Sequence, residues 1–320
     1  MKQTVTVDDI VGARTVVRKY LNRTPLYSYG GLSQLLGCQA YVKHENHQPI
    51  CAFKVRGGLN LVSKLSEDER RRGVITASTG NHGQSIAYAA RTFGVKAQVV
   101  VPHGNNPDKV KAIERLGAEV VFRGKDFDES REYVERLSQE NGLRYVHSAN
   151  EPNLIAGVGT IGLEILEDLP EVDVVLVPVG GGSGASGIST AIKSAKPDVQ
   201  IIGVQSEEAP AAFLSWREGK PVASEVMRTF AEGLATRIGF SMTVEIMKRN
   251  LTDFILVSDD EIRQAMRLLL EHTHNVAEGA GAASLAGAIK IRERLSGKRV
   301  VMILSGGNVT LETLRQVLSV

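Results

Sequence analysis

The chain of 320 residues has two cysteines, Cys38 and Cys51, too few for a disulfide framework. Two reduced thiols fit a cytoplasmic protein. One tryptophan and 5% aromatics point to a core of aliphatic side chains. Neither sign of charge dominates: 38 Lys and Arg stand against 36 Asp and Glu, a formal net charge of +2. There is no basic stripe of the kind that nucleic acid or a membrane surface requires. The run Arg70-Arg71-Arg72 follows Glu67-Asp68-Glu69 and reads as a solvated helix face. Apolar runs such as Val174–Val179 are strand-length and far too short to span a bilayer. The start, Met1-Lys2-Gln3-Thr4, lacks the apolar stretch of a secretory signal.

What the chain does have is glycine, 32 residues gathered in short patches, as in tight turns and ligand loops. Strand-like and helix-like patterns alternate almost throughout, which argues for α/β architecture with parallel sheets covered by helices. Thr6 with Asp9, and Ser258 with Glu261, read as capping boxes that open helices. Strands are expected at 39–43, 74–77, 97–101, 119–122, 144–146, 174–179, 201–204, 254–257 and 300–304. The segment 208–249 reads as irregular, with short helical pieces. Parallel sheets bind ligands beyond the carboxyl ends of their strands. That directs attention to the residues after Ala77, Val179 and Leu304, all rich in Gly, Ser and Asn.

Four motifs carry the chemistry. In Cys51-Ala52-Phe53-Lys54-Val55-Arg56-Gly57-Gly58, a lysine between apolar neighbours can be desolvated into a free, nucleophilic amine. Taken alone, it reads more readily as a surface lysine. Ser78-Thr79-Gly80-Asn81-His82-Gly83-Gln84 follows a strand and opens a helix, so its backbone N–H groups suit a carboxylate; it serves equally as a capping turn. Gly180-Gly181-Gly182-Ser183-Gly184 allows the backbone to wrap a phosphate. Its spacing is neither the dinucleotide fingerprint nor a P-loop. Ser305-Gly306-Gly307-Asn308 ends the last strand and by itself is a tight turn.

In order and spacing these motifs resemble the fold-type II pyridoxal-5′-phosphate (PLP) enzymes, the tryptophan synthase β-like fold. The likeness is greatest to the serine/threonine dehydratase (threonine ammonia-lyase) and serine racemase branch. It extends over Arg23-Thr24-Pro25-Leu26, Gly157-Val158-Gly159-Thr160 with Glu164, and Ala277-Glu278-Gly279-Ala280-Gly281. It implies two doubly wound α/β domains with mostly parallel sheets: 1–70 with 149–320 as the large PLP-binding domain, 71–148 as the small one, and the cofactor in the cleft between them. It implies a small-molecule amino-acid substrate and a homodimer. No regulatory domain is expected after the last helix.

By the same resemblance, Lys54 carries the cofactor and moves the Cα proton, with Phe53 beside the cofactor ring. Gly180, Gly181, Gly182, Ser183 and Gly184 cradle the phosphate. Asn81 meets the ring's 3′-oxygen, and Ser305, with Gly306, lies at the pyridine nitrogen. Ser78, Thr79, Asn81 and His82 line the substrate-carboxylate nest, Thr79 also stands where racemases carry a second acid/base, and Arg131 matches an arginine that reaches substrate. The implied reaction is dehydration and deamination of a 3-hydroxy amino acid to a 2-oxo acid and ammonia. L-Threonine or L-serine is the first expectation, and a bulkier substrate such as phenylserine or hydroxyaspartate is the next. Racemisation and β-replacement are the rival activities, and a nucleotide-binding module is the non-enzymatic rival. The sequence departs from the pattern at Ala52 and at Cys51, which stands in place of the family's glycine and reads as a packing residue. Gln205 and Ala211 occupy positions where relatives carry metal-binding carboxylates, so no metal site of the family's type is expected; Glu207 and Glu208 could substitute but read more readily as a solvated acidic pair.

Overall fold

A computed structural model describes residues 4–78, 80–125 and 127–319. Its strands are β1 (Leu26–Ser28), β2 (Gln39–His44), β3 (Val74–Ala77), β4 (Ala97–Val101), β5 (Glu119–Phe122), β6 (Arg144–Tyr145), β7 (Val174–Pro178), β8 (Gln200–Ser206), β9 (Asp253–Val257) and β10 (Arg299–Leu304). They form a six-stranded sheet in the order β1-β2-β10-β7-β8-β9 and a four-stranded sheet in the order β5-β4-β3-β6. Every pairing is parallel except β1 with β2. This is the fold-type II architecture.

The apolar strands explain the layering. β3 is buried along its whole length, as are the first four residues of β7 and the last five of β10. A strand buried on both faces needs helices on both, and parallel crossovers supply them. The expected capping boxes are present at Thr6–Asp9 and Ser258–Glu261, and a further one, Ser66–Glu69, opens the helix Glu67–Arg72. The helices Lys54–Ser63 and Pro152–Asp168 approach closely. A Cβ on Gly157 would lie 2.5 Å from the carbonyl oxygen of Arg56, so only glycine fits there.

The strand orders fix where a ligand can sit. In the large sheet the chain runs β7, β8, β9 outward on one side of β7, while β10 lies on the other. In the small sheet β3, β4, β5 run one way and β6 lies on the opposite side of β3. Each reversal opens a crevice at the carboxyl ends of the adjacent strands. The four segments at these crevices follow β7, β10, β3 and β6. They begin at residues 179, 305, 78 and 146.

Candidate active site

The Lys54 motif reaches the crevice by being strapped to the end of β10. The Phe53 amide donates to the Ser305 carbonyl at 3.0 Å, and Ala52 forms an isolated bridge with Gly306. Lys54 is thereby the first residue of the helix Lys54–Ser63. Its Nζ donates to the Ser148 carbonyl at 3.0 Å and contacts Ser183 Oγ at 3.0 Å. It also lies 5.3 Å from the centre of the Phe53 ring. Burial draws the Lys54 pKa down from 10.5 to about 8, because removing water penalises the ammonium more than the amine. At neutral pH a useful fraction of this lysine is the neutral nucleophile.

The glycine loop leads directly into the helix Ser183–Ala195. The loop is thus itself a helix N-terminus, with unpaired backbone donors and the positive end of the dipole. Gly182 caps it with φ +89, a left-handed conformation that disfavours any side chain. The Phe53 ring borders Gly184, and a Cβ there would lie 3.4 Å from it. Phe53, Gly184 and Ser305 border one small cavity together with Val177 and Ile303.

On the opposite wall, Gly80 caps the helix Asn81–Phe93, and Ser78 Oγ accepts from the Gly80 and Gly83 amides at 3.2 and 2.9 Å. Thr79 lies outside the described residues. Asn81 Nδ2 donates to Glu278 Oε1 at 2.8 Å, and Asn81 Oδ1 accepts from Asn308 Nδ2 at 2.7 Å. Burial raises the Glu278 carboxyl to about 7, against the lowering effect of the Asn81 hydrogen bond. His82 is buried, and its Nε2 pairs with the Val146 carbonyl at 3.3 Å. A carbonyl only accepts, so Nε2 holds the ring's one proton and Nδ1 is left as an unpartnered acceptor. Desolvation, with the nearby Lys54 charge, lowers its pKa to about 3 and keeps the ring neutral. The structure thus turns the His82 N–H toward the Val146 carbonyl.

Arg131, on the helix Phe127–Asn141, pairs with Glu135 at 2.8 Å, and its charge also lowers the pKa of nearby His147. Cys51 needs a correction. Expected as a packing residue, it is exposed and has φ +53, a left-handed backbone that suits glycine better than an L side chain. Gln205 is buried, accepts from the Phe213 amide at 2.9 Å and donates to the Leu234 carbonyl at 3.3 Å. Among the described residues no group of three or more His, Cys, Asp or Glu could hold a metal ion, and no helix is long and apolar enough to cross a membrane.

Sequence reasoning gave no role to a buried ion cluster beneath Lys54. Arg56 makes paired hydrogen bonds to both Glu45 and Glu164, and Lys43 joins Glu164 at 2.7 Å. The motif residues Arg56, Thr24, Thr160 and Glu164 were visible separately, but nothing local links positions 108 residues apart. His147 and Ser148 also escaped notice, since their segment carries no motif.

The residues present fit PLP. A desolvated amine faces an aromatic ring, a helix N-terminus awaits an anion, and a Cβ on Gly180 would strike the Gly233 carbonyl at 2.2 Å, so the loop must stay bare. The comparisons agree. The family described as "Pyridoxal-phosphate dependent enzyme" matches residues 17–306. The L-threonine ammonia-lyase of Thermotoga maritima is 41% identical over 315 residues, 98% of this chain and 78% of that protein. The processed threonine deaminase isoform 2 of Solanum lycopersicum superposes with a TM-score of 0.93 at 33% identity, covering 99% of this chain and 94% of that one. Maize serine racemase gives the same TM-score at 30% identity, covering 98% and 97%.

Proposed function

Because this chain belongs to the pyridoxal-phosphate dependent enzyme family, we propose that it is a lyase that dehydrates and deaminates L-threonine, and L-serine as a second substrate, to the 2-oxo acid and ammonia. The observation that carries this reading is the Lys54 amine, with its pKa near 8, set against Ser183 at the mouth of the glycine loop. Bound there, the cofactor supplies an electron sink for the pair released when Cα loses its proton.

The chain's own residues divide the remaining work. Lys54 holds the cofactor and moves the Cα proton. Gly180 to Gly184, with the Ser183 hydroxyl, hold the phosphate at the helix N-terminus. Phe53 would pack against the ring, and Ser305 with Gly306 would stand at its nitrogen. A neutral hydroxyl there would not fix a proton on the ring nitrogen as a carboxylate would, which suits a reaction that expels a β-hydroxyl. The Asn81 amide is oriented by Asn308 and Glu278 and meets the 3′-oxygen. The Ser78–Asn81 turn takes the substrate carboxylate, and Arg131 reaches the substrate from the small sheet. The proposal includes a division into 1–70 with 149–320 and 71–148, the ligand between them. What supports it is that the four-stranded sheet uses only strands between 74 and 145. The proposal also includes a homodimer, which the resemblance implies, and a cytoplasmic setting, which two free cysteines suit.

The deciding experiment is a 2-oxo-acid assay over threonine, serine, phenylserine and 3-hydroxyaspartate. Threonine should give the highest kcat/KM. A preference for phenylserine or hydroxyaspartate would move the reading to a bulkier substrate, and release of no oxo acid from any of them would end it. Serine racemisation is the second reading, favoured by the equal superposition on maize serine racemase. D-serine formed from L-serine would establish it.

A further inference from the structure

The link between β6 and the helix Pro152–Asp168 contains His147 and Ser148, which no motif marks. His147 Nδ1 accepts from the Ala149 amide at 3.1 Å and from the Asn150 amide at 3.0 Å. Both partners can only donate, so Nδ1 carries the lone pair and the ring's proton sits on Nε2. An imidazolium would turn an N–H toward two N–H groups and lose both bonds. Burial, with the charges of Arg131 and Lys54, holds the ring's pKa to about 4, so it remains the neutral tautomer at working pH. The ring is fixed edge-on to Phe240, with centroids 4.6 Å apart. The His147 amide in turn donates to Glu151 Oε1 at 3.4 Å, and Glu151 pairs with Arg144 at 2.8 Å. The turn is therefore held at both ends, and the Ser148 carbonyl at its crest meets Lys54 Nζ at 3.0 Å.

We infer that His147 is a positioning residue for Lys54: its imidazole closes the turn that holds the Ser148 carbonyl against the lysine amine. The consequence is directional. A neutral amine has two N–H bonds and one lone pair. The Ser148 carbonyl takes one N–H, and Ser183 Oγ at 3.0 Å accepts the other. The lone pair then has one direction left, away from both oxygens and available to an incoming aldehyde carbon. Without the turn, the amine keeps its nucleophilicity but loses its aim. The inference rests on the reading of Lys54 as the cofactor's anchor.

The test is the rate at which cofactor-free protein captures added PLP, followed by the rise of its visible absorbance band, in the parent and in His147→Asn, His147→Gln and His147→Phe. Asparagine can accept from the same two amides in an Asx turn, glutamine is too long to close it, and phenylalanine keeps the stack on Phe240 without any acceptor. His147→Asn should capture PLP within about twofold of the parent, and the other two about tenfold more slowly, the effect of losing roughly one hydrogen bond's worth of positioning. If His147→Phe does not fold, the Asn and Gln pair decides. Asparagine as slow as glutamine, or phenylalanine as fast as the parent, would overturn the inference while leaving the lysine's role intact. A parent that captures no PLP removes the lysine reading, and this inference with it.

Discussion

Arg56 and Glu164 face each other through two hydrogen bonds, Nη1 to Oε1 at 2.7 Å and Nη2 to Oε2 at 2.9 Å, with both side chains out of solvent. The other edge of the guanidinium grips Glu45, and Lys43 completes the charge balance at Glu164. Arg56, Lys43, Glu45 and Glu164 thus form a buried, charge-compensated group under the first turn of the Lys54 helix, and Lys43 also lies 3.8 Å from the partly exposed Asp168. Breaking a buried pair leaves an uncompensated charge, so Arg56→Met should lower unfolding stability by about 3–5 kcal/mol in urea titration. A loss under about 1 kcal/mol would mean the cluster relaxes or admits water.

The same cluster gives an acid limit. Burial alone would raise the Glu164 carboxyl, but Arg56 and then Lys43 overcome it and hold the pKa below its ordinary 4.5. A depressed carboxyl stabilises the fold fully above the unfolded value and loses that contribution as pH falls through the folded one. Stability should therefore drop below about pH 4.5 in the parent, and this part of the drop should be missing in Glu164→Gln. Parallel pH–stability curves for the two proteins would contradict it.

Glu278 has the opposite sign. Its folded pKa of about 7 lies above the ordinary 4.5, so the folded state binds its proton more tightly than the unfolded chain does. Its contribution is complete below pH 4.5 and shrinks as pH rises toward 7. In the cofactor-free protein, Glu278→Gln should remove this decline and stabilise the fold at pH 8 by as much as about 3 kcal/mol. A slope unchanged by the substitution between about pH 5 and about pH 7 would show that water reaches the carboxylate.

Cys51 tests the backbone. Its φ of +53 places an L side chain where glycine is at home. Cys51→Val should cost more than about 1 kcal/mol, since a branched Cβ crowds the left-handed turn, whereas Cys51→Gly should be neutral or stabilising by up to about 1 kcal/mol. Thermal melts of the two variants give the order directly. A melting temperature for the valine variant equal to the glycine variant's would contradict the strain.

Much of this was legible in the chain because strand and helix periods are local. β3, β4 and β5 fall where Val74–Ala77, Ala97–Val101 and Glu119–Phe122 announce them, and the two expected capping boxes form. β1 was not anticipated, because Leu26–Ser28 is three residues of a largely exposed edge with no alternating face. The small-residue stretch after Glu278 forms two helices, Gly279–Lys290 and Arg292–Leu295, parted at Ile291. Within the site, the motifs located Lys54, Asn81, Ser183 and Ser305, since each ends a strand or begins a helix. What the motifs could not show is which atoms meet: that His82 spends its proton on Val146, that Cys51 is left-handed, and that a backbone carbonyl at Ser148 faces the lysine. Those facts belong to tertiary placement and leave no composition or spacing signal.

The most direct test of the account is to reduce the PLP-loaded protein with borohydride, digest it and weigh the peptides. The cofactor's mass should be found on the peptide carrying Lys54 and on no other. Cofactor mass on a different lysine, or on none while the protein still forms 2-oxobutanoate from threonine, would contradict it.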